Sequence, residues 1–347
     1  MSNRVTKEPG VFGLKSLRAV TTSMRPKHWI KNILLFGGLV FTDSIFDLSA
    51  IVASLRAFFL FCFAASTVYL LNDIRDVDKD RLHPQKRHRP FAAGQVSANT
   101  MILSTALLAN LVLFESFRVS KSFGMLVTLY FAINVLYTIF LKTLPVIDVM
   151  SISSGFVIRV VAGVIAVGLA PSPWVVLCTM TLALFVGFGK RRHELHELSG
   201  RAVDHRRSLS EYSPEFLDMI MGVSAASAIV TYALFTVSDA IVVRTNTRLL
   251  IFTTPMVIYG IFRYMLLIMQ HNEGGDPARL FAKDRPMLIN AILWVTATAF
   301  IVNAPPNWLP WWAVETDVQT QVEEEDNNAE PTQDDSSLSS NPAADNK

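Results

Sequence analysis

The chain has 347 residues, of which 51% are hydrophobic and only 17% are charged, and its mean hydropathy is +0.36. Soluble proteins are about one-quarter charged, so this composition excludes an ordinary cytosolic enzyme, a disordered regulator and a disulfide-stabilised scaffold. The formal net charge of +2 hides a basic N-terminus and an acidic C-terminus, and it does not indicate nucleic-acid binding. The apolar residues form blocks of roughly 20, the length that a helix needs to cross a bilayer.

Nine apolar blocks are predicted to span a membrane as helices, because backbone groups in lipid must be hydrogen-bonded within the segment. The blocks cover roughly residues 30–48, 51–71, 98–117, 122–141, 146–168, 173–189, 216–238, 249–269 and 286–303. The first contains Gly37, Gly38 and Asp43 and is the least regular. The predicted fold class is therefore all-α, a polytopic membrane protein with nine transmembrane helices.

The distribution of Lys and Arg predicts the orientation of these spans. With a cytoplasmic N-terminus, 23 basic residues fall in cytoplasmic segments and five on the opposite side. This bias favours an extracytoplasmic C-terminus, which requires an odd number of spans. We divide the chain into a cytoplasmic arm (1–20), a membrane domain (21–304) and an extracytoplasmic segment (305–347), whose acidic tail is predicted to be disordered.

The most informative motif closes the second block, where Asn72, Asp73, Asp76 and Asp80 form the pattern N-D-x-x-D-x-x-x-D. On a continuing helix these four side chains fall within an arc of about 100°, while Asp78 points to the other side. Crowded carboxylates repel each other unless a cation lies among them. Such oxygen ligands suit a Mg²⁺ ion that also binds substrate phosphates. The alternative is a solvated helix end with unpaired acids.

Basic residues follow the acidic motif on the same predicted loop. Lys86, His88 and Arg89 lie within ten residues of it. A metal-bound diphosphate leaves further anionic oxygens, which Lys can neutralise and which Arg can bind through two parallel hydrogen bonds. Topology alone also requires basic residues here, but beside the acids we favour phosphate binding. Tyr69, three residues before Asn72, either flanks the metal site or is a packed aromatic.

Further polar side chains are predicted at the same membrane face. Lys27 precedes the first block, Tyr137 and Lys142 end the fourth, and Lys190 ends the sixth. On local grounds, a topological or interfacial role is as well supported for each of them as a substrate role.

Arg159 stands apart because it lies inside the fifth block, well beyond Asp148 at the cytoplasmic end of that block. At about 1.5 Å per residue, that separation corresponds to a depth of roughly 16 Å. A buried arginine is costly in a membrane and marks either a polar partner or a substrate pathway. The sequence contains no G-x-S-x-G, phosphate-loop or H-E-x-x-H motif, so these side chains are the only evident chemistry.

Together these motifs resemble the UbiA superfamily of intramembrane prenyltransferases. The resemblance covers about residues 20–303 and includes RPKHWIKN at 25–32, the acidic motif, GKRRHEL at 189–195 and GGDPARLFAKDRP at 274–286. Typical members have a second aspartate-rich motif after the sixth span. Here that loop has a basic triplet and one aspartate, Asp204. The chain therefore resembles most the branch that transfers phosphoribosyl groups to polyprenyl phosphate.

The resemblance implies a nine-helix UbiA-like bundle and a Mg²⁺-dependent phosphoribosyltransferase in the cell (inner) membrane, with its active site on the cytoplasmic side. The implied metal ligands are Asn72 and Asp76, and the implied catalytic carboxylates are Asp73, Asp76 and Asp80. The implied substrate-binding residues are Lys27, Tyr69, Lys86, His88, Arg89, Tyr137, Lys142, Arg159 and Lys190. Among these, Lys142, Arg159 and Lys190 are expected to guide the lipid phosphate.

The expected partners are 5-phosphoribosyl 1-diphosphate, polyprenyl (decaprenyl) phosphate and the lipid bilayer, with homo-oligomer formation left open and no nucleic acid. The product would serve cell-envelope arabinan synthesis. Two alternatives remain open at this point. A prenyltransferase acting on an aromatic acceptor is disfavoured by the missing second aspartate motif. A transporter or channel with an acidic gate is disfavoured because the acids cluster at one face.

Overall fold

The computed structural model describes residues 13–40, 47–197, 207–245, 247–271, 275 and 277–304. In chain order, the α-helices of this part are α1 (Leu14–Ser23), α2 (Gly37–Val40), α3 (Leu48–Arg75), α4 (Val77–Leu82), α5 (Ala98–Val119), α6 (Lys121–Ile139), α7 (Ile147–Ala166), α8 (Pro173–Glu197), α9 (Pro214–Thr236), α10 (Asp239–Thr245), α11 (Thr254–His271), α12 (Pro277–Lys283) and α13 (Arg285–Asn303). Short 3-10 helices cover Pro26–Phe36, Lys86–His88, Leu141–Thr143, Arg207–Glu211 and Leu249–Thr253.

Eight helical segments in the described ranges are long and apolar enough to cross a membrane. They correspond to the second to ninth predicted spans, so the prediction of an all-α polytopic membrane protein is confirmed. Large apolar side chains face outward along them, as Leu107 and Phe114 do on α5 and Ile289 and Ile292 do on α13. An exposed apolar surface of this kind is typical of a protein whose solvent is lipid.

Short polar side chains define where the spans begin. The capping oxygen of each accepts a hydrogen bond from a backbone N–H of the first turn, and the capping residues are Asp47 (α3), Ser97 (α5), Ser120 (α6), Ser213 (α9) and Asp284 (α13). Such caps satisfy donors that would otherwise lack an acceptor at a helix start. These caps therefore fix the first residue of five of the helices.

The first predicted span, 30–48, differs from expectation. Its described part is the 3-10 helix Pro26–Phe36 followed by α2, and residues 41–46 lie outside the described ranges. The segment runs antiparallel to α3: Trp29 donates to Ser66 Oγ (3.1 Å) and Asn32 to Cys62 Sγ (3.2 Å). The larger rise per residue of a 3-10 helix stretches this segment along the bundle more than an α-helix of equal length would. The chain passes along the bundle here, but the described part of this block is a 3-10 helix followed by a four-residue α-helix, where a membrane-spanning helix was predicted.

Two glycines allow this segment to pack closely against α7. A Cβ atom on Gly163 would overlap the carbonyl oxygen of Leu35. A Cβ on Gly38 would lie only 3.0 Å from the backbone nitrogen and Cα of Val164. Backbone contact this close excludes any larger side chain, so tertiary packing determines the course of the segment.

The buried core has two main parts. In the N-terminal half, Phe61 of α3 packs with Tyr130 of α6 and Ala162 of α7. In the C-terminal half, Phe185 of α8 packs with Met221 of α9, within a cluster that also includes residues of α11. Helices α7 and α8 contact each other and join the halves.

Helix α1 crosses the predicted boundary between residues 20 and 21. Its Ala19 and Val20 are buried against Leu70 of α3 and Met101 of α5. The described end of the N-terminal arm therefore packs on the membrane bundle, at the end where α3 stops. The predicted C-terminal segment, 305–347, lies outside the described residues.

Candidate active site at the end of helix α3

A cavity of about 420 Å³ opens at the end of the bundle where α3 gives way to α4. It is lined by Arg25, Asn72, Asp76, Lys79, Asp80, Lys86, Arg89, Tyr137, Thr138, Lys142 and Thr143. The lining comes from the link between α1 and the first 3-10 helix, from α3, α4 and the loop after α4, and from the end of α6 with the turn that follows it. The structure therefore brings together seven of the predicted site residues, namely Asn72, Asp76, Asp80, Lys86, Arg89, Tyr137 and Lys142.

The acidic motif keeps its helical spacing although α3 and α4 are separate elements. The backbone N–H of Asp76 donates to Asn72 O (2.9 Å), and that of Asp80 donates to Asp76 O (2.8 Å). The four-residue hydrogen-bond pattern therefore continues across the junction. The side chain of Asp78 is 90% exposed and pairs with Arg81 at 3.3 Å. It points away from the cavity, as the helical geometry predicts.

Two carboxylates of the motif are buried and paired with arginines. Asp73 and Asp80 are each only 3% exposed. Arg89 Nη1 lies 2.6 Å from Asp80 Oδ2 and 3.3 Å from Asp73 Oδ1, and Arg25 also pairs with Asp73. A buried carboxylate is tolerated when a cation with good geometry compensates for its lost hydration. Asp73 and Asp80 therefore hold the two arginines at the cavity wall.

The other two oxygen donors of the motif face the cavity. The Asp76 carboxylate makes no hydrogen bond or ion pair with any described residue. The Asn72 side-chain oxygen accepts a hydrogen bond from Thr138 Oγ1 (2.7 Å), which orients it. The described ranges contain no group of three or more His, Cys, Asp or Glu side chains that could hold a metal ion. Two hard oxygen ligands nevertheless fit Mg²⁺, which commonly uses one or two protein carboxylates together with substrate phosphates.

Sequence reasoning missed four residues of the cavity wall: Arg25, Lys79, Thr138 and Thr143. Arg25 lies two residues before Lys27, the residue selected from the same motif, and Lys27 is exposed outside the lining. Arg25 has a left-handed backbone (φ 54°, ψ 60°), and its guanidinium lies 4.8 Å above the Tyr69 ring centre. The following proline disfavours the right-handed helical region for Arg25, so it indicates a break after α1 but not the left-handed conformation.

Five predicted substrate contacts lie outside the cavity lining: Lys27, Tyr69, His88, Arg159 and Lys190. Tyr69 packs beneath Arg25 and supports it from behind the wall. His88 is exposed, with its Nε2 3.4 Å from Arg87 Nε. Lys190 Nζ lies 3.9 Å from Glu194 on the same helix. Direct substrate contact by these five residues stays a prediction.

Arg159 is buried as predicted, but its partners belong to the protein scaffold. Its Nε donates to Asn32 Oδ1 (2.7 Å), Nη1 to Gly155 O (2.6 Å) and Nη2 to the Tyr130 hydroxyl (3.0 Å). Its guanidinium carbon also lies 5.0 Å from the Tyr130 ring centre. Arg159 therefore connects α7 to the 3-10 segment and to α6, and it does not reach the cavity where a lipid phosphate was expected.

The basic triplet at the end of α8 is largely neutralised within the protein. Buried Arg191 pairs with Asp148 of α7 (Nε–Oδ2 3.0 Å) and with Glu194. Arg192 pairs with Asp218 of α9. The charges of these two arginines therefore compensate protein carboxylates.

A buried polar cluster adjoins the cavity behind Lys142. The Tyr212 hydroxyl donates to Asp148 Oδ1 (2.9 Å), and Ser208 Oγ lies 3.2 Å from Asp148 Oδ2. Burial raises the pKa of Tyr212 above its ordinary value, so the hydroxyl keeps its proton at neutral pH. Nothing in the local sequence around Tyr212 indicated this contact with α7.

Fold and site together define an integral membrane protein with a charged cavity at one end of a helical bundle, suited to an anionic ligand. The chain belongs to the UbiA prenyltransferase family, which matches residues 33–295. The predicted family is thereby confirmed, as is the prediction of an enzyme, and the transporter interpretation is set aside.

Two relatives carry the same name. The chain is 33% identical over 296 residues to decaprenyl-phosphate phosphoribosyltransferase of Corynebacterium glutamicum, covering 82% of this chain and 86% of the relative. It is 30% identical over 313 residues to decaprenyl-phosphate phosphoribosyltransferase of Mycobacterium tuberculosis H37Rv, covering 87% and 99%. The predicted similarity to the phosphoribosyltransferase branch is therefore confirmed.

Solved structures support the fold. A UbiA homolog from Archaeoglobus fulgidus, bound to GPP and Mg²⁺, superposes with a TM-score of 0.61 at 19% identity, covering 84% of this chain and all of that one. A digeranylgeranylglyceryl phosphate synthase gives a TM-score of 0.62 at 18% identity, with the same coverage. The UbiA-like architecture predicted from the sequence is confirmed.

Proposed function

We propose that this protein transfers the 5-phosphoribosyl group of 5-phosphoribosyl 1-diphosphate to a polyprenyl phosphate, releasing diphosphate in a Mg²⁺-dependent reaction. The observation that carries the proposal is one cavity of about 420 Å³ that combines two oxygen donors with lysines and arginines from separate elements. Both substrates are anions, so a site for them needs cations on more than one side. The names of the relatives support this choice of substrates.

Asn72 and Asp76 are the proposed Mg²⁺ ligands, because they are the oxygen donors of the acidic motif that face the cavity without a paired arginine. When bound, Mg²⁺ stabilises the negative charge that develops on a leaving diphosphate. Asp73 and Asp80 act through Arg25 and Arg89, whose positions they determine. Asp73 and Asp80, which the resemblance implies as catalytic carboxylates, are thus proposed to support the site through these two arginines.

The donor phosphates are proposed to lie against Arg89, Arg25, Lys86 and Lys79. Arg89 makes both of its carboxylate contacts through Nη1. A guanidinium carries five N–H donors, so its remaining donors can bind phosphate oxygens without breaking either ion pair. Such charge-assisted bonds are the strong class of hydrogen bond. Arg89 is therefore well placed to bind phosphate while staying anchored.

The acceptor phosphate is proposed to approach from the side of Lys142 and Thr143, which line the cavity from the turn after α6. As the bond to the leaving diphosphate breaks, C1 of the ribose gains oxocarbenium character. A phosphate dianion is already a nucleophile, so no general base is required. Positioning two anions against their mutual repulsion is the main task of the protein. In-line attack converts an α donor into a β product.

The decisive assay supplies the purified protein with 5-phosphoribosyl 1-diphosphate, decaprenyl phosphate and Mg²⁺, and measures diphosphate and lipid-linked product. We expect product only when all three are present. Asp76→Asn should remove most activity, and Asp78→Asn, the matched control on the exposed side, should retain it. Consumption of a prenyl diphosphate with an aromatic acceptor in place of these substrates would contradict the proposal.

We further propose that the protein resides in the cell (inner) membrane with its N-terminus and cavity on the cytoplasmic side, where a water-soluble sugar phosphate is available, and that its product serves cell-envelope arabinan synthesis. The 23-to-5 distribution of basic residues supports this orientation. A reporter fused after Lys347 should therefore lie outside the cytoplasm. A cytoplasmic reporter would contradict the orientation without affecting the proposed chemistry.

A further inference from the structure

The turn that carries Lys142 to the cavity ends in a strained conformation. Val146 has φ +65° and ψ −49°, and the N–H of Ile147 donates to Pro145 O at 2.7 Å. This is a γ-turn of the rare kind. A β-branched residue in the left-handed region is a genuine outlier, because its side chain crowds the backbone. Strained backbone of this kind persists only where the surroundings determine it.

The surroundings that hold this turn come from the other half of the protein. The N–H of Val146 donates to the Tyr212 hydroxyl at 2.6 Å, and that hydroxyl donates in turn to Asp148 Oδ1 at 2.9 Å. Tyr212 is buried in the core of the C-terminal half and stacks on Phe216 (ring centres 6.0 Å apart). One hydroxyl thus contacts both the strained residue and the first turn of α7.

A second contact holds the other side of the turn. Ser208 Oγ lies 3.1 Å from the backbone carbonyl oxygen of Lys142 and 3.2 Å from Asp148 Oδ2. Asp148 is itself paired with Arg191. Residues 142–148 are therefore held at both ends by side chains that precede α9, and the side chains that hold them are buried.

We propose that Tyr212 is a positioning residue that holds the strained turn at Val146 so that Lys142 and Thr143 face the cavity. The inference rests on the proposed function only for the names of the substrates that the cavity binds. Without the hydroxyl, the N–H of Val146 loses this acceptor, and the turn can relax toward a negative φ. Because Lys142 lies four residues earlier on the same short connection, relaxation moves it away from the cavity.

Tyr212→Phe tests this inference with little disturbance, because the ring and its stacking on Phe216 are retained. Since Lys142 is assigned to the acceptor side, we expect the KM for decaprenyl phosphate to rise about tenfold, the size expected for one lost hydrogen bond. The KM for 5-phosphoribosyl 1-diphosphate should change less than about twofold. A fall in kcat alone, or an equal rise in both KM values, would overturn the inference.

A double-mutant cycle separates positioning from general structural damage. If Tyr212 acts through Lys142, then adding Tyr212→Phe to Lys142→Ala should raise the KM for the lipid less than about twofold further, because coupled residues are not additive. Independent, multiplicative losses would overturn the inference. Tyr264→Phe is the matched control, because the Tyr264 hydroxyl is buried and has no hydrogen-bond partner among the described residues. It should leave both KM values unchanged.

A readout without turnover keeps this inference separate from the proposed function. Thr143→Cys introduces a thiol at the cavity wall, and its rate of modification by a water-soluble maleimide reports the position of the turn. Adding Tyr212→Phe should change that rate severalfold, and Tyr264→Phe should not. An unchanged rate with Tyr212→Phe would overturn the positioning role, whether or not the wild-type protein consumes 5-phosphoribosyl 1-diphosphate. Absent turnover with a changed rate would contradict the proposed function and support the positioning role.

Discussion

Arg89 and Lys86 offer a pair of substitutions that separates substrate binding from structural support. Both line the same cavity from the loop after α4. Lys86 is exposed and makes no ion pair within the described residues, whereas Arg89 is 29% exposed and contacts two buried carboxylates. We predict that Lys86→Ala and Arg89→Ala both raise the KM for 5-phosphoribosyl 1-diphosphate more than that for the lipid. Only Arg89→Ala should also destabilise the protein.

The magnitudes follow from these contacts. A lost charge-assisted hydrogen bond to a phosphate is worth roughly 1.5–3 kcal/mol, so KM should rise about 10- to 150-fold in each variant. Removing Arg89 leaves Asp80 buried without its cation, while Asp73 keeps Arg25. Removing one partner of a fully buried pair costs roughly 3–5 kcal/mol. Because Arg89 is partly solvated, we expect the lower part of that range or somewhat less, about 2–3 kcal/mol.

The assay combines saturation curves for each substrate in membranes with thermal unfolding of the purified protein in detergent. Lys86→Ala should unfold within about 0.5 kcal/mol of wild type, as exposed substitutions usually do. Arg89→Lys serves as a control that keeps the charge but loses the planar guanidinium. Wild-type stability of Arg89→Ala would refute the assignment of Arg89 as the counter-charge of Asp80. An equal rise in both KM values for Lys86→Ala would refute its assignment to the donor.

Two further predictions concern stability. Gly163→Ala should destabilise the protein by about 1–3 kcal/mol, the usual cost of overpacking, because its Cβ would overlap backbone of the 3-10 segment. Gly222→Ala, where a Cβ meets nothing within 4 Å, should be neutral or stabilising in the same thermal assay, and equal effects would contradict this account. The hydrogen bond from Arg263 lowers the pKa of Asp284 below its ordinary value of 3.8. The stabilisation that the ionised Asp284 carboxylate gains from Arg263 is therefore present above pH 3.8 and is lost as the pH falls further. The Tm of the wild type should decline more steeply below pH 3.8 than that of Asp284→Asn. Parallel curves of Tm against pH would contradict the prediction.

The division of the acidic motif explains how one short segment can serve both metal and phosphate. Asn72 and Asp76 face the cavity, whereas Asp73 and Asp80 pair with Arg25 and Arg89, which line it. A cavity that contained only acids would repel an anionic substrate. A cavity that contained only bases would have no place for Mg²⁺. Alternating the two along one helix end places both kinds of charge within reach of a diphosphate.

The local sequence determined everything that depends on helical periodicity and on the length of apolar blocks. It predicted eight of the crossings, the continuation of helical spacing from Asn72 through Asp76 to Asp80, and the outward direction of Asp78. These features could be derived because residues three and four positions apart share a helix face, whatever the rest of the chain does. The family resemblance was likewise carried by contiguous motifs.

Only the tertiary structure decided which polar and charged groups meet. Arg159 pairs with Asn32, Arg191 with Asp148, and Tyr212 with the backbone of Val146. Each pair joins separate elements of the bundle, so no local spacing could reveal it. Helix packing determines which positions come within hydrogen-bonding distance, and buried charges must find a partner there. Several basic residues that were predicted as substrate contacts do not line the cavity. Lys27 and His88 are exposed to solvent, and Lys190 pairs with Glu194.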